Sequence, residues 1–193
     1  MSVGRGPAVM ANVVAVCGMP GSGKGEFAAV LDQAGIPIVS MGDMIRAEVR
    51  QRGLVEEPHV FGQIAAELRA QHGEEVLAVR LCERVDELLE DHPLVLIEGL
   101  RGTAEDEVFS QRWGELYRTI AIVADAELRF ERIQQRGRSE DGDREAFEAR
   151  NERERGWGLE DLIEVANDFI SNDADLKQFQ AKCEGWLNQQ LAM

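Results

Sequence analysis

The chain has 193 residues, 44% of them apolar, and no stretch between its ends reads as a linker, so it can bury one sizeable core as a single domain. Its 36 acidic and 21 basic side chains give a formal charge of −15, which argues against a nucleic-acid binder with a broadly basic surface and requires any phosphate to be gripped locally. The longest apolar runs, at 13–17, 94–97 and 120–124, are too short to cross a bilayer and no signal-peptide pattern opens the chain, so a cytoplasmic protein without a membrane partner is expected.

In chain order, residues 1–11 carry Gly and Pro without periodicity and are expected to be a disordered extension, with Met10 a candidate natural start. The remainder, 12–193, reads as one domain. Runs at 12–18, 36–40, 94–99, 118–125 and 168–173 are short, apolar and rich in Val and Ile, as strands buried on both faces should be. Helical patterns fill 24–33, 43–51, 60–71, 74–90, 127–135, 144–155 and 176–191. The alternation predicts a doubly wound α/β fold of three layers around a five-stranded parallel sheet, with ligands at the carboxyl ends of the strands. Cys17, Cys82 and Cys183 are odd in number and widely spaced, which fits reduced thiols better than a disulfide or zinc framework. His59, His72 and His92 fall near helix ends or in a turn, where surface or capping roles are expected.

The first strand runs straight into Gly18, Met19, Pro20, Gly21, Ser22, Gly23, Lys24 and Gly25, and a helix follows. In that context the glycines let successive N–H groups turn inward as an anion nest, the helix amino end adds partial positive charge, and the lysine reaches the outer phosphates. Lys24 is the only lysine before Lys177, and Lys182 completes the set. The general motif has Ser or Thr after the lysine as a magnesium ligand; here Gly25 and then Glu26 follow, so that ligand must come from elsewhere.

The run 18–25 resembles adenylate kinase and its nucleoside monophosphate kinase relatives, which also have Gly after the lysine. The segment 40–46, Ser-Met-Gly-Asp-Met-Ile-Arg, resembles their acceptor-binding motif, whose arginine pairs with the phosphate of AMP. Read from the residues alone, Ser40 or Asp43 could equally cap a helix, and Arg46 offers phosphate a planar donor fork. The segment 94–101, LVLIEGLR, resembles the family strand that ends in an acid, glycine and arginine, with Leu100 in place of a Phe-Pro pair. A carboxylate leaving a buried strand needs water, a partner or a cation, so Glu98 is the candidate to hold magnesium through water, or else to pair with Arg101. Eight arginines between 129 and 155 flank the polar stretch 137–143 and resemble the family's lid. Arg132 and Arg136 lie one helical turn apart; Arg150 can face a ligand or pair with Glu154. Asn172 resembles a position near the adenine ring, or serves ordinary turn chemistry.

The resemblance spans about residues 12–175 and lies nearest the archaeal adenylate kinase-related proteins. It implies a P-loop kinase using ATP and Mg2+, with an acceptor-side region at about 41–73 and a lid at about 132–156 that move. The implied nucleotide site is 18–26 with Asn172, and the implied catalytic residues are Lys24, Arg132 and Arg136. Ser40, Gly42, Asp43, Arg46, Glu98 and Arg101 would take the acceptor, AMP or a related monophosphate, while Arg138 and Arg150 serve the lid. Dephospho-coenzyme A as acceptor is the alternative within the fold. A regulatory ATPase is the alternative outside kinase chemistry, since the Glu26 carboxylate beside the inner phosphates could disturb magnesium.

Overall fold

The computed structural model describes residues 13–136 and 143–192. The predicted extension at 1–11, most of the polar lid stretch and Arg138 lie outside the described residues. Strands β1 (Val13–Cys17), β2 (Ile38–Ser40), β3 (Val95–Glu98), β4 (Tyr117–Val123) and β5 (Asp168–Ser171) form one sheet in the order β2-β3-β1-β4-β5. Every pairing is parallel. The five predicted strands are thus the five observed, shorter than predicted, with β4 beginning one residue earlier.

β1 is the middle strand and wholly buried because both its faces are covered. Val13, Ala15 and Cys17 face a core completed by α2 (Met41–Gln51), α3 (Pro58–His72), α4 (Val76–Leu89), α5 (Thr103–Trp113) and α8 (Leu159–Val165). Val14 and Val16 face the opposite core, built with α1 (Lys24–Gln33) and α9 (Leu176–Leu191). Each buried valine-sized side chain contributes about 1.5–3 kcal/mol, so the three valines of β1 anchor it to both cores. Phe27 and Leu31 of α1 pack on Phe179, Cys183 and Trp186 of α9, with the Phe27 and Trp186 rings edge to face at 5.3 Å. That packing fixes α1, and with it the helix amino end that follows β1.

Helices α6 (Ala126–Arg136) and α7 (Arg144–Gly156) lie beyond β4. The sequence reading missed α5 and α8. On α5 only Glu105 and Phe109 are fully buried, too sparse a stripe for periodicity to reveal, and α8 has only seven residues. All three cysteines are buried and free, and burial pushes the Cys17 thiol up to about 12. Among the described residues no helix is long and apolar enough to cross a membrane.

Candidate functional site

The loop between β1 and α1 emerges at the carboxyl end of the middle strand, between the ends of β3 and β4. Glycine is required where the loop touches its neighbours. A Cβ on Gly21 would lie 2.5 Å from the Arg129 carbonyl oxygen, and one on Gly23 would lie 2.2 Å from Asn172 Nδ2; both backbones are left-handed, at φ +82° and +108°. Gly23 begins α1 with no side-chain cap, so the helix's first N–H groups face the loop's concavity. Lys24, half-buried, folds its Nζ back onto the carbonyls of Gly18 at 2.5 Å and Met19 at 3.2 Å. Burial above all, then Arg101 and Arg150, lowers its pKa to about 8, while Glu154 opposes the shift.

Three residues from outside the loop hold it in place. Arg129 on α6, 6% exposed, donates from Nη1 to Pro20 O at 3.0 Å and to Asn151 Oδ1 at 2.9 Å, and from Nε to Ala124 O at 3.2 Å. Asn151 on α7 thereby ties that helix to the loop. Asn172 donates from Nδ2 to Ser22 O at 2.8 Å and accepts from Arg132 Nη2 at 3.2 Å. Its buried side chain thereby joins the loop to α6.

A charged cluster lies beside Lys24. Glu154 on α7 is 1% exposed, and its Oε1 accepts from Arg101 Nη1 and from Arg150 Nε, the latter at 3.1 Å. Burial pushes the Glu154 carboxyl up, but Arg101, Arg150 and Lys24 together hold it below the usual carboxylate value. Arg101 pairs with Glu154, so the alternative Glu98–Arg101 ion pair gives way to one across the site. Buried Glu105 positions the Arg101 backbone: its Oε2 accepts from Arg101 N at 3.0 Å and its Oε1 from Arg69 Nη2 at 2.9 Å.

The remaining predicted residues take these places. Ser40 ends β2 and is the N-cap of α2 without a side-chain capping bond. Asp43 receives Arg46 Nε at 2.9 Å, and the Arg46 guanidinium lies over Gly42. Glu98 ends β3, half-buried, across from Ser40 of β2 and Val16 of β1. Arg132 Nη1 is buried without a hydrogen-bond partner, Arg136 is exposed at the end of α6, and Gly25 and Glu26 are exposed on the first turn of α1. Among the described residues no three His, Cys, Asp or Glu side chains converge as a metal site. Sequence reasoning passed over Asn151 and Glu105 and counted Arg129 only among the eight arginines of the lid-like segment. The available signal was the spacing Phe147, Asn151, Glu154, a buried helical stripe with polar residues in it.

A glycine loop after the middle strand, a lysine folded into it and arginines gathered beside it define a P-loop kinase-like nucleotide-binding domain. Residues 17–148 match the family model described as an AAA domain. The chain belongs to the UPF0200 family: it is 40% identical over 169 residues to a UPF0200 protein of Methanosarcina barkeri, covering 87% of this chain and 90% of that one. Among solved structures it resembles TT1252 from Thermus thermophilus, at TM-score 0.62 and 22% identity over 94% of this chain and 98% of that one. A dephospho-CoA kinase from Campylobacter jejuni gives 0.57 and 17% over 94% and 98%, and a shikimate kinase from Acinetobacter baumannii, in complex with shikimate, 0.57 and 17% over 94% of each chain. At these identities the structures speak for the fold alone.

Proposed function

We propose that the chain transfers the γ-phosphoryl of ATP to a small nucleotide acceptor, AMP or a related nucleoside monophosphate. The observation that carries the reading is the gathering of Lys24, Arg101 and Arg150 beside a glycine loop, in a chain whose formal charge is −15. Phosphoryl transfer asks a protein for alignment, charge neutralisation and exclusion of water rather than covalent chemistry. In this reading the N–H groups of 18–26 and the α1 amino end take the phosphates, and Lys24 exchanges its loop carbonyls for phosphate oxygens. Arg132 and Arg136 face the transferring group, and Arg150 turns to it from α7. Ser40, Gly42, Asp43, Arg46, Glu98 and Arg101 form the acceptor side. The region 41–73 is the part that moves, while α7 stays tied to the loop where Asn151 meets Arg129.

The loop fits a triphosphate, since its helix end has no side-chain cap and its lysine, among the described residues, donates only to backbone carbonyls. Magnesium fits less closely to protein ligands: Gly25 lacks the hydroxyl, so the ion would be carried by phosphate oxygens and water, with Glu98 as an outer partner. Bound with ATP, it supplies further neutralisation of the phosphate oxygens.

The test is a calorimetric titration with AMP in the presence of a nonhydrolysable ATP analogue and magnesium, repeated with Arg46→Ala and Arg101→Ala. Micromolar AMP binding lost in both variants is expected, because a hydrogen bond to a charged group is worth about 1.5–3 kcal/mol. Analogue binding without AMP binding would sink the monophosphate acceptor. A second reading, an acceptor that reacts through a hydroxyl such as dephospho-coenzyme A, draws on the likeness in fold to the dephospho-CoA kinase from Campylobacter jejuni. A thermal-shift comparison of AMP with dephospho-coenzyme A separates the two. Hydrolysis with neither acceptor would point to the regulatory ATPase.

A further inference from the structure

Glu154 places an anion inside the cluster that would bind phosphate. Its side chain is 1% exposed, its Oε1 serves both Arg101 and Arg150, and its Oε2 is buried with no hydrogen-bond partner. Lys24 adds a third cation to the charges acting on it. The carboxylate cannot follow a ligand outward, because Asn151, one turn earlier on α7, is tied through Arg129 to Pro20 of the loop. The arginines can: their side chains are 31% and 24% exposed and end on flexible stems.

We propose that Glu154 is an internal competitor that occupies Arg101 and Arg150 in the empty site and so limits the affinity of the cluster for polyphosphate. The inference rests on the phosphate-site reading above. An arginine that turns to a phosphate leaves Glu154 buried and less compensated, so binding is the difference between a strong new interaction and the loss of an old one. The carboxylate also repels the incoming anion, and that repulsion grows with ligand charge. Without it, three cations beside a glycine loop would hold a triphosphate too long for exchange, since affinity differences within one site fall mainly on the off-rate. A residue that merely aimed the two forks would act in the opposite sense, and its loss would weaken binding.

Calorimetry with inorganic tripolyphosphate and with orthophosphate, on wild type and Glu154→Gln, decides between the two. Tripolyphosphate should bind the variant about tenfold tighter or more, with a smaller gain for orthophosphate. Unchanged or weaker tripolyphosphate binding overturns the inference. A wild type that binds no tripolyphosphate overturns the phosphate-site reading and this inference with it, whereas wild-type binding without a gain in the variant overturns only this one. A second readout uses wild type alone and holds if the variant fails to fold. In protein labelled with 15N-arginine, the Arg150 Nε–H resonance should shift as tripolyphosphate saturates the site; a resonance that stays in place shows that Arg150 has not left Glu154, and the inference fails.

Discussion

Raising the pH from 7 to 9.5 should weaken ATP binding through one group, Lys24. With its pKa lowered to about 8 in the empty site, mainly by burial, Lys24 is about 90% charged at pH 7 and about 3% charged at pH 9.5. A bound triphosphate favours the ammonium and restores its charge, so binding takes up a proton over this range. Affinity for a nonhydrolysable ATP analogue should fall about 30-fold between pH 7 and 9.5, roughly 2 kcal/mol. The phosphates do not confound this, because their second ionisation, near pH 6, is complete. Calorimetry in buffers of different ionisation enthalpy should register an uptake approaching one proton at pH 9. In Lys24→Arg, whose guanidinium does not titrate, the slope should vanish even where binding is weaker. Stability moves the other way. The lowered pKa means the unfolded chain holds more protons between about 8 and 10.5, so the cost of the charged lysine, at most about 3 kcal/mol before solvent screening at its half-open side, is relieved as pH rises. Flat affinity from pH 7 to 9.5 with no proton uptake would refute the reasoning, since Lys24 would then either titrate at its ordinary value or not touch the phosphates.

Gly25→Ser should be tolerated, because a Cβ there meets nothing within 4 Å; helix propensity favours it by about 0.5 kcal/mol, so melting should hold or rise slightly. The new hydroxyl stands where the general motif holds magnesium, and analogue binding should then need less of it in a magnesium titration. Arg129→Met strands the Pro20 and Ala124 carbonyls and Asn151; a loss of about 3 kcal/mol in denaturant unfolding is expected, with faster hydrogen exchange in 18–23. Gly23→Ala should abolish analogue binding by driving its methyl against Asn172. Paired with Asn172→Ala it should be less than additive in melting experiments, because the two share one clash; strict additivity would place the strain elsewhere.

The sheet was legible because its strands are continuous Val and Ile runs, a pattern that only burial on both faces explains. The phosphate loop was legible because its chemistry is local, eight consecutive residues between a strand and a helix. What escaped was long-range pairing. Nothing in the segment 129–155 says that Arg129 turns inward to the loop while Arg144 turns outward to Glu127, since both are arginines on amphipathic helices. The partner of Arg101 escaped for the same reason: Glu154 lies 53 residues away in sequence, while Glu98 lies close by and on a motif. The tie of Asn172 to Ser22 and Arg132 escaped as well, because an amide beside a phosphate loop serves equally well as a brace or a ligand.

Arginine density was therefore a weaker signal than arginine burial. Arg144 with Glu127 and Arg155 with Glu160 are partly exposed pairs, worth about 0–1 kcal/mol each, and they take two of the segment's eight arginines away from any ligand. Arg129 is sealed beneath the loop and supplies geometry rather than field at a ligand. Among the described arginines of that segment, this leaves Arg132, with one buried Nη unpartnered, and Arg150, beside Glu154, as those with the clearest structural connection to the site. The rest of the field comes from Lys24 and from Arg101 on the other side of the sheet's midline. At physiological salt a surface charge is felt over about 8 Å, so the acidic exterior is largely screened at the loop while the partly buried cluster is not. A strongly acidic chain can hold a polyanion on these terms, because the balance that decides binding is three cations against one carboxylate rather than 21 basic side chains against 36 acidic ones.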